Sequence, residues 1–123
     1  MSVRQILDLS LVILSFNRRD EIARQLTFLE QLLAIYDIDV VIVDNNSDDG
    51  TQELLKACPL DIIVHFNETN QGVAGGRNVA NYYISRGYVL RIDEDTWLTN
   101  ENLLKLYNYM CENINVGAMS PEI

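Results

Sequence analysis

The chain has 123 residues, the length of one ordinary domain, and 48% of them are hydrophobic, which is enough for a core. Its 18 acidic and 9 basic side chains give a net charge of -9, which disfavours nucleic acid as a partner because that binding needs a basic face. No apolar run reaches the roughly 20 residues that span a bilayer, and Asp8 interrupts the apolar N-terminal stretch, so neither a membrane span nor a signal peptide is expected. Cys58 and Cys111 lack metal-ligand spacing and are expected to be free thiols in a reducing cytosol.

The first half of the chain alternates short apolar runs with helical periodicity. Residues 9–14 form an apolar, β-branched run that predicts a buried strand. Asn17 is expected to cap the following helix, with Asp20 in the acidic position of a capping box. Apolar side chains then recur at spacings of four and three, which predicts an amphipathic helix over residues 22–36. Residues 40–43 predict a second buried strand.

The same alternation continues through the second half. Pro59 ends a short helix predicted over residues 50–57, and Gly87 follows a helix predicted over residues 73–85. The remaining predicted elements are strands at residues 62–66, 88–92 and 116–119 and a helix at residues 101–112.

This alternation of strand and helix predicts one α/β domain over residues 1–123, with a mainly parallel sheet in a three-layer α/β/α arrangement. In such sheets, ligands bind beyond the carboxyl ends of the strands. Polar segments follow the first four predicted strands at residues 15–17, 44–49, 67–72 and 93–95. Because these segments share one edge of the predicted sheet, they predict a single ligand site there.

The segment VIVDNNSDDGT, residues 41–51, gathers acidic side chains at the tip of a strand. A calcium loop is disfavoured because the required glycine comes one residue late and Leu55 stands where the closing glutamate belongs. Residues 48–50 suit a turn and a helix cap. Turn chemistry does not explain Asp44, which ends the strand and offers a carboxylate that can accept a hydrogen bond from a nucleobase N–H.

The segment NQGVAGGRN, residues 70–78, matches neither the Rossmann glycine pattern nor a P-loop. Each glycine near the start of a helix costs about 1 kcal/mol relative to alanine, and close approach of a backbone or ligand would explain two of them. Arg77 lies where the helix dipole disfavours a cation. Two compatible explanations stay open for Arg77: an ion pair with Asp44 or Asp93, or contact with a bound nucleotide.

The segment RIDEDTWL, residues 91–98, contains carboxylates at i and i+2. On an extended segment Asp93 and Asp95 would project to the same side, where their charges repel unless a cation neutralises them. Mg²⁺ and Mn²⁺ bind one or two protein carboxylates and complete their coordination with phosphate and water. The alternative is a solvated acidic turn.

Together these segments resemble the family-2 glycosyltransferases, which have the GT-A fold of nucleotide-diphospho-sugar transferases. VILSFNRRDEI, residues 12–22, resembles the family's first strand and nucleotide-side loop, and residues 41–51 resemble its second-strand signature. Residues 70–78 resemble the variant common in rhamnosyl- and galactofuranosyl-transferring members, and residues 92–98 resemble the Asp-x-Asp motif. The four motifs come in the family's order and spacing and cover nearly all of the chain.

The resemblance implies a nucleotide-sugar site, whose expected members are Ser15, Phe16, Asn17, Asp44, Asn46, Gly72, Arg77 and Asp93. Ser15 and Phe16 would line the base and ribose pocket. Asp44 would bind a uracil or thymine edge, and Arg77 would lie near the base or the phosphates.

The resemblance also implies a divalent cation, Mg²⁺ or Mn²⁺, on the diphosphate of the donor. Asp95 would coordinate it, and Asp93 would lie near the ribose and share the metal site. Glu94 replaces the aspartate often found in the middle of the motif and would point away.

The implied activity is an inverting, metal-dependent transfer of a sugar from a UDP- or dTDP-sugar to a glycan or lipid-linked acceptor, as in the synthesis of cell-surface polysaccharides. The expected location is the cytoplasm, including the inner face of the membrane. In the family, the catalytic base and acceptor site lie beyond the Asp-x-Asp motif, and this sequence stops at Ile123. The sequence is therefore expected to be the donor-binding part only, with weak or absent transfer activity and with copies associating along an uncovered sheet edge.

One alternative is a non-catalytic nucleotide-sugar-binding module built from the same motifs. A phospho-acceptor receiver domain would need acids directly after the first strand, and a sugar nucleotidyltransferase would need a glycine-rich, basic loop there. Residues 15–17 supply neither.

Overall fold

Four strands alternate with four helices in the computed structural model, which describes residues 3–96 and 98–113. In chain order the elements are β1 (Gln5–Ser15), α1 (Arg19–Ile35), β2 (Tyr36–Asp44), α2 (Thr51–Lys56), β3 (Ile63–Phe66), α3 (Gly72–Asn81), β4 (Tyr88–Asp93) and α4 (Asn100–Glu112). The last predicted strand, at residues 116–119, lies outside the described residues. No described helix combines the length and apolarity that crossing a bilayer requires.

The sheet is parallel throughout, with strand order β3-β2-β1-β4. β1 and β2 are therefore the two central strands, and both are buried on both faces, as continuous apolar runs in parallel sheets usually are. Their pairing runs in register from Ser10 opposite Asp39 to Ser15 opposite Asp44. The predicted parallel sheet is confirmed.

The core has two layers because side chains of the central strands alternate between the faces of the sheet. On one face, Leu11 and Ile13 of β1 pack with side chains of α1, α2 and α4, among them Leu29 and Leu103. On the other face, the buried side chains that pack together are Val12, Val41, Val43 and Ala80, the last of these from α3. The predicted three-layer arrangement is thus present, with α3 alone on its side among the described helices.

Three element boundaries differ from the sequence prediction. β1 begins at Gln5, before the apolar run, because its backbone still pairs with β2 where Gln5 lies opposite Tyr36. Tyr36 opens β2 instead of closing α1, and its N–H caps α1 by donating to the carbonyl of Leu32. α3 ends at Asn81 instead of Ser85, because the next residues form tighter turns, in which the Tyr82 N–H donates to the carbonyl of Val79 at 3.1 Å.

At the amino end of the sheet, Arg86 joins two strands. Its guanidinium donates to the backbone carbonyl of Leu7 at 2.9 Å, to Oδ1 of Asp37 at 2.9 Å and to Oδ1 of Asp39 at 3.1 Å. Burial alone would raise the pKa of Asp39. Hydrogen bonds from Ser85 and Arg86, together with the charge of Arg86, outweigh that effect and hold this pKa below its ordinary value.

Arg86→Met keeps the aliphatic stem and removes these donors, so we expect the free energy of unfolding at neutral pH to fall by about 1–3 kcal/mol. Because the pKa of Asp39 is lowered on folding, its charge stabilises the fold above pH 3.8, and this contribution is lost as the pH falls through the lowered pKa. The difference in the free energy of unfolding between wild type and Arg86→Met should therefore become smaller as the pH is lowered. Urea unfolding at neutral pH and at about pH 3 measures it.

The control for that prediction is Arg24→Met, since Arg24 is exposed on α1 and takes part in no ion pair among the described residues. We expect a change within about 0.5 kcal/mol at either pH. A loss in Arg86→Met that is the same at both pH values would contradict the role of Asp39 as its partner.

Candidate functional site

The carboxyl ends of the four strands meet at one edge of the sheet. Ser15 lies opposite Asp44, Asp44 lies opposite Phe66, and Leu14 lies opposite Asp93. Since neighbouring strands lie about 4.8 Å apart, Asp44 and Asp93 are separated by two strand spacings, about 10 Å. The structure therefore brings together the four polar segments that the sequence placed at this edge.

The loop after β1 is bound to the loop after β2 by three hydrogen bonds. The Asn17 N–H donates to Oγ of Ser47 at 2.9 Å, and Oδ1 of Asn17 accepts from the Asp48 N–H at 2.9 Å. The Arg19 N–H donates to Oδ2 of Asp49 at 3.0 Å. The predicted cap by Asn17 is therefore wrong: the cap position of α1 is Arg18, whose side chain makes no cap hydrogen bond. The capping carboxylate comes instead from the neighbouring loop.

Asp49 also bonds to the first residue of α2, whose N-cap position is Gly50, so residues 48–50 form the expected turn at the start of this helix. Oδ1 of Asp49 accepts from the N–H of Thr51 at 3.1 Å and from the Thr51 hydroxyl at 2.5 Å. Partial burial would raise the pKa of Asp49, but the hydrogen bonds from Thr51 and from the Arg19 N–H outweigh burial and lower it. Gly50 has φ 97°, a left-handed backbone that favours glycine in this turn.

Asp44 is fully buried, and its carboxylate folds the loop that follows it. Oδ1 accepts from the Ser47 hydroxyl at 2.6 Å, and Oδ2 accepts from the Ser47 N–H at 2.9 Å and from Nε2 of Gln52 at 3.2 Å. A carboxylate offers about four lone-pair positions, so three are already taken. One position is left, but the side chain is 0% exposed, so contact with a base requires the surrounding side chains to shift, and the role of Asp44 toward a base stays a prediction.

Asn45 ties the second and third loops together, and sequence reasoning missed it in favour of its neighbour Asn46. Its Nδ2 donates to the carbonyl of Gly72 at 3.0 Å, while its Oδ1 accepts from Nδ2 of Asn67 at 2.9 Å and from the Gln71 N–H at 3.2 Å. Asn45 is 2% exposed, whereas Asn46 is exposed with φ 69°. The two consecutive asparagines could have indicated this difference, because successive side chains leaving a strand point to opposite sides and only one of the two can be buried.

The glycine-rich start of α3 allows it to pack closely on the sheet. A Cβ at Gly76 would collide with the side chain of Leu14 and lie 3.1 Å from Nδ2 of Asn45. The close approach that explains Gly76 is therefore made by the protein's own side chains. Gly72, with φ 73°, begins α3, and Arg77 is exposed in its second turn. The ion pairs found among the described residues do not include Arg77, so its suggested pairing with an acid at this edge is not observed.

The acidic segment after β4 is a turn, defined here as the acidic turn, residues 93–96. Asp93 is the last residue of the strand, and the Thr96 N–H donates to the Asp93 carbonyl at 3.0 Å to close the turn. The segment is therefore not extended, because Glu94 and Asp95 lie in the turn itself, as in the alternative of an acidic turn that the sequence left open. Both aspartates are nevertheless exposed.

Glu94 turns away from solvent toward α1. Its Oε1 lies 3.7 Å from Nε of Arg18, and its side chain is 18% exposed. Burial raises the pKa of Glu94, and the charges of Asp95 and Asp93 add to this while the charge of Arg18 opposes it. The acidic turn therefore presents two carboxylates outward and keeps the middle one against the protein.

This donor set fits a hard divalent cation. Asp93 and Asp95 offer carboxylate oxygens, which Mg²⁺ and Mn²⁺ prefer, and both side chains face solvent where phosphate and water can complete the coordination. Within residues 3–96 and 98–113, no group of three or more His, Cys, Asp or Glu side chains could hold a metal ion by itself. The fit is thus to a cation shared with a ligand, not to a closed protein site.

The three predicted site residues of the first loop differ in how far they are exposed to solvent. Ser15 is fully buried, and its hydroxyl has no hydrogen-bond partner among the described residues. Phe16 is 41% exposed, and Asn17 is exposed with φ 48°. Phe16 is therefore accessible to a ring stacked on it, whereas Ser15 lies beneath the surface.

Asn45→Ala removes both ends of the amide that joins the second and third loops, so we expect the free energy of unfolding to fall by about 1–3 kcal/mol. The matched variant is Asn46→Gly, which changes the exposed neighbour, tolerates φ 69° and should stay within about 0.5 kcal/mol of wild type. Urea unfolding of both variants tests this. Equal stability of the two would show that the amide of Asn45 does not join the loops.

Comparison with known proteins shows which family the chain resembles in sequence. The family model described as Glycosyl transferase family 2 matches residues 10–120. A poly(ribitol-phosphate) beta-glucosyltransferase from Bacillus spizizenii is 29% identical over 110 residues, which are 85% of this chain and 17% of that protein. The chain spans between 17% and 36% of the length of the curated relatives that it matches.

Two solved structures share the fold. The mannosyltransferase PcManGT from Pyrobaculum calidifontis, in complex with GDP-Man and Mn²⁺, superposes with a TM-score of 0.74 at 19% identity over 89% of this chain and 33% of that one. S. aureus TarS 1-349 in complex with UDP-GlcNAc has a TM-score of 0.66 at 25% identity over 93% of this chain and 37% of that one. These matches confirm the predicted α/β fold of the GT-A type.

Proposed function

Since the chain belongs to glycosyl transferase family 2, we propose that it binds a nucleoside-diphosphate sugar across the carboxyl edge of its sheet and so provides the donor site for glycosyl transfer. The observation that carries this proposal is the joining of the loops at that edge. Side chains of Ser47 and Asp49 bind the first loop to the second, and buried Asn45 binds the second to the third. A further set of side chains is exposed and can meet a ligand: Phe16, Asn46, Arg77, Asp93 and Asp95.

The proposed donor is a UDP- or dTDP-sugar that lies from the β2 end toward the β4 end of the edge. The base would lie near Phe16 and Asp44, and the diphosphate would reach the acidic turn about two strand spacings away. The likeness to TarS, which binds UDP-GlcNAc, supports a uridine donor. Residues 70–78 resemble rhamnosyl- and galactofuranosyl-transferring members, and a sugar of that class is part of the proposal.

The proposed cofactor is Mg²⁺ or Mn²⁺ held by Asp95 and Asp93. Such a cation, when bound, stabilises the negative charge that develops on the departing diphosphate. The chain's own side chains then divide the work: Phe16 offers a ring face to the base, Arg77 offers a cation to phosphate, and Glu94 stays against Arg18.

The proposed reaction is inverting transfer to a glycan or lipid-linked acceptor, in cell-surface polysaccharide synthesis. No catalytic base is assigned among residues 3–96 and 98–113. A non-catalytic nucleotide-sugar-binding module, built from the same motifs, is the second candidate. Transfer assays with a donor and a panel of acceptors separate the two.

Two further proposals concern location and assembly. We propose a cytoplasmic location, including the inner face of the membrane. The free cysteines Cys58, which is half-buried, and Cys111, which is exposed, support it because free thiols persist in reducing compartments. We also propose that copies associate along an edge of the sheet, on β4, one of the two edge strands in the sheet order of the described residues, where Val89 is 39% exposed.

Asp95→Ala removes the carboxylate that we assign to the cation, so UDP binding in the presence of Mn²⁺ should weaken by about tenfold or more. Without Mn²⁺, wild type and Asp95→Ala should bind UDP equally weakly. Isothermal titration calorimetry with UDP and with dTDP, each with and without Mn²⁺, measures this and also identifies the preferred base.

The matched control is Asp61→Ala, which removes an exposed acid before β3, near the amino end of the sheet. It preserves the change in net charge and should leave UDP binding unaltered. The metal assignment is wrong if UDP binds wild type as tightly without Mn²⁺ as with it, or if Asp95→Ala and Asp61→Ala behave alike.

A further inference from the structure

We infer that Gln25 is a positioning residue for the donor site, because its buried amide holds the backbone of the acidic turn and thereby sets where the Asp93 and Asp95 carboxylates stand. This inference rests on the proposed function, since it concerns the same cation site. Gln25 lies on α1 and touches neither carboxylate. It acts through the main chain of the turn.

Gln25 is an exception on the buried stripe of α1. The buried residues of this helix are Ile22, Gln25, Leu29 and Leu32, spaced so that they share one face. Gln25 is 0% exposed among apolar neighbours. Burying an amide there costs free energy unless it is hydrogen-bonded, so its contacts must account for its presence on the stripe.

The contacts of Gln25 all go to the acidic turn. Its Nε2 lies 2.6 Å from the carbonyl oxygen of Thr96, 3.2 Å from that of Glu94 and 3.5 Å from that of Asp93. An amide nitrogen has two N–H groups, so the bonds to Thr96 and Glu94 are the principal ones. Three acceptors around one atom also fix which end of the amide faces the turn, since an oxygen there would face three carbonyls.

The other end of the Gln25 amide indicates that this position needs hydrogen-bond donors rather than acceptors. Oε1 of Gln25 is buried and has no hydrogen-bond partner among the described residues. A side chain kept for general polar packing would be expected to use both ends, because an unsatisfied buried acceptor costs about 1–3 kcal/mol. The side chain instead places its donors under the turn, and its acceptor has no partner within residues 3–96 and 98–113.

The acidic turn needs support of this kind because its own bonding is sparse. One backbone hydrogen bond, from the Thr96 N–H to the Asp93 carbonyl, closes it. Its two exposed carboxylates carry like charges close together, which favours their separation until a cation neutralises them. Gln25 from beneath and Arg18 through Glu94 both hold the turn to α1. The conformation of the acidic turn is thereby fixed before a cation binds, and this lowers the free energy needed to order the turn on binding.

The variant that tests this inference is Gln25→Met, which keeps the length of the side chain and removes its N–H groups. We expect Mn²⁺ in the presence of UDP to bind about tenfold more weakly, the loss typical of groups that orient metal ligands. Free Mn²⁺ is measured from its electron paramagnetic resonance signal during titration of the intact chain. Amide hydrogen exchange in the acidic turn should also become faster.

The matched control is Ile22→Val, one turn earlier on the same buried stripe. It disturbs the packing of α1 without touching the acidic turn, so Mn²⁺ affinity should stay within about twofold of wild type. If Gln25→Met does not fold, Gln25→Asn replaces it, since it keeps the amide but draws it back by one methylene, and the same weakening is expected.

The outcomes separate this inference from the proposed function. Weaker Mn²⁺ binding in Gln25→Met but not in Ile22→Val supports it. Wild-type Mn²⁺ affinity in the Gln25 variant, or equal losses of affinity in both variants, overturns the positioning role. The proposed cation site itself still stands in that case if Asp95→Ala weakens Mn²⁺ binding. If wild type itself binds Mn²⁺ no better than Asp95→Ala does, the proposed cation site fails, and the role of Gln25 fails with it.

Discussion

The parallel pairing of β1 with β2 is the constraint on which the rest of the structure depends. The ladder continues one residue past the strands, where the Asn45 N–H donates to the carbonyl of Ser15 at 2.8 Å, and the neighbouring pair continues likewise from Asn67 to Asp44 at 2.8 Å. Every loop at this edge therefore leaves the sheet from a fixed position. Polar backbone and side-chain groups crowd together there, and most of them satisfy one another.

The polar residues of the edge fall into two groups. Asp44, Asn45 and Gln25 are buried, and their hydrogen bonds shape the loops. The other group is exposed and makes few contacts with the protein: Phe16, Asn46, Arg77, Asp93 and Asp95. The buried group positions the loops that carry the exposed group, just as hydrogen bonds from surrounding residues orient the side chains that contact a ligand.

Element types, the parallel direction of the strands and the segments that meet at their carboxyl edge could be predicted, because they follow from apolar periodicity and from the rules of parallel sheets. The details that proved wrong or were missed depend on contacts between distant segments. Asp49 caps a helix that begins 30 residues earlier, and Gln25 bonds to a carbonyl 69 residues away. Local patterns carry no information on such contacts. For the acidic turn, the sequence left an extended segment and a turn both open, and the bond from the Thr96 N–H to the Asp93 carbonyl is what closes the turn.

The joining of neighbouring loops by Asn45 and Asp49 has a consequence for how this edge can change. A substitution in the second loop alters the bonding of the first through Asp49 and that of the third through Asn45. Loops that share hydrogen bonds cannot be exchanged one at a time without leaving unsatisfied groups behind. Moving this edge into another scaffold, or reshaping it for another ligand, therefore requires transplanting the three loops as one block.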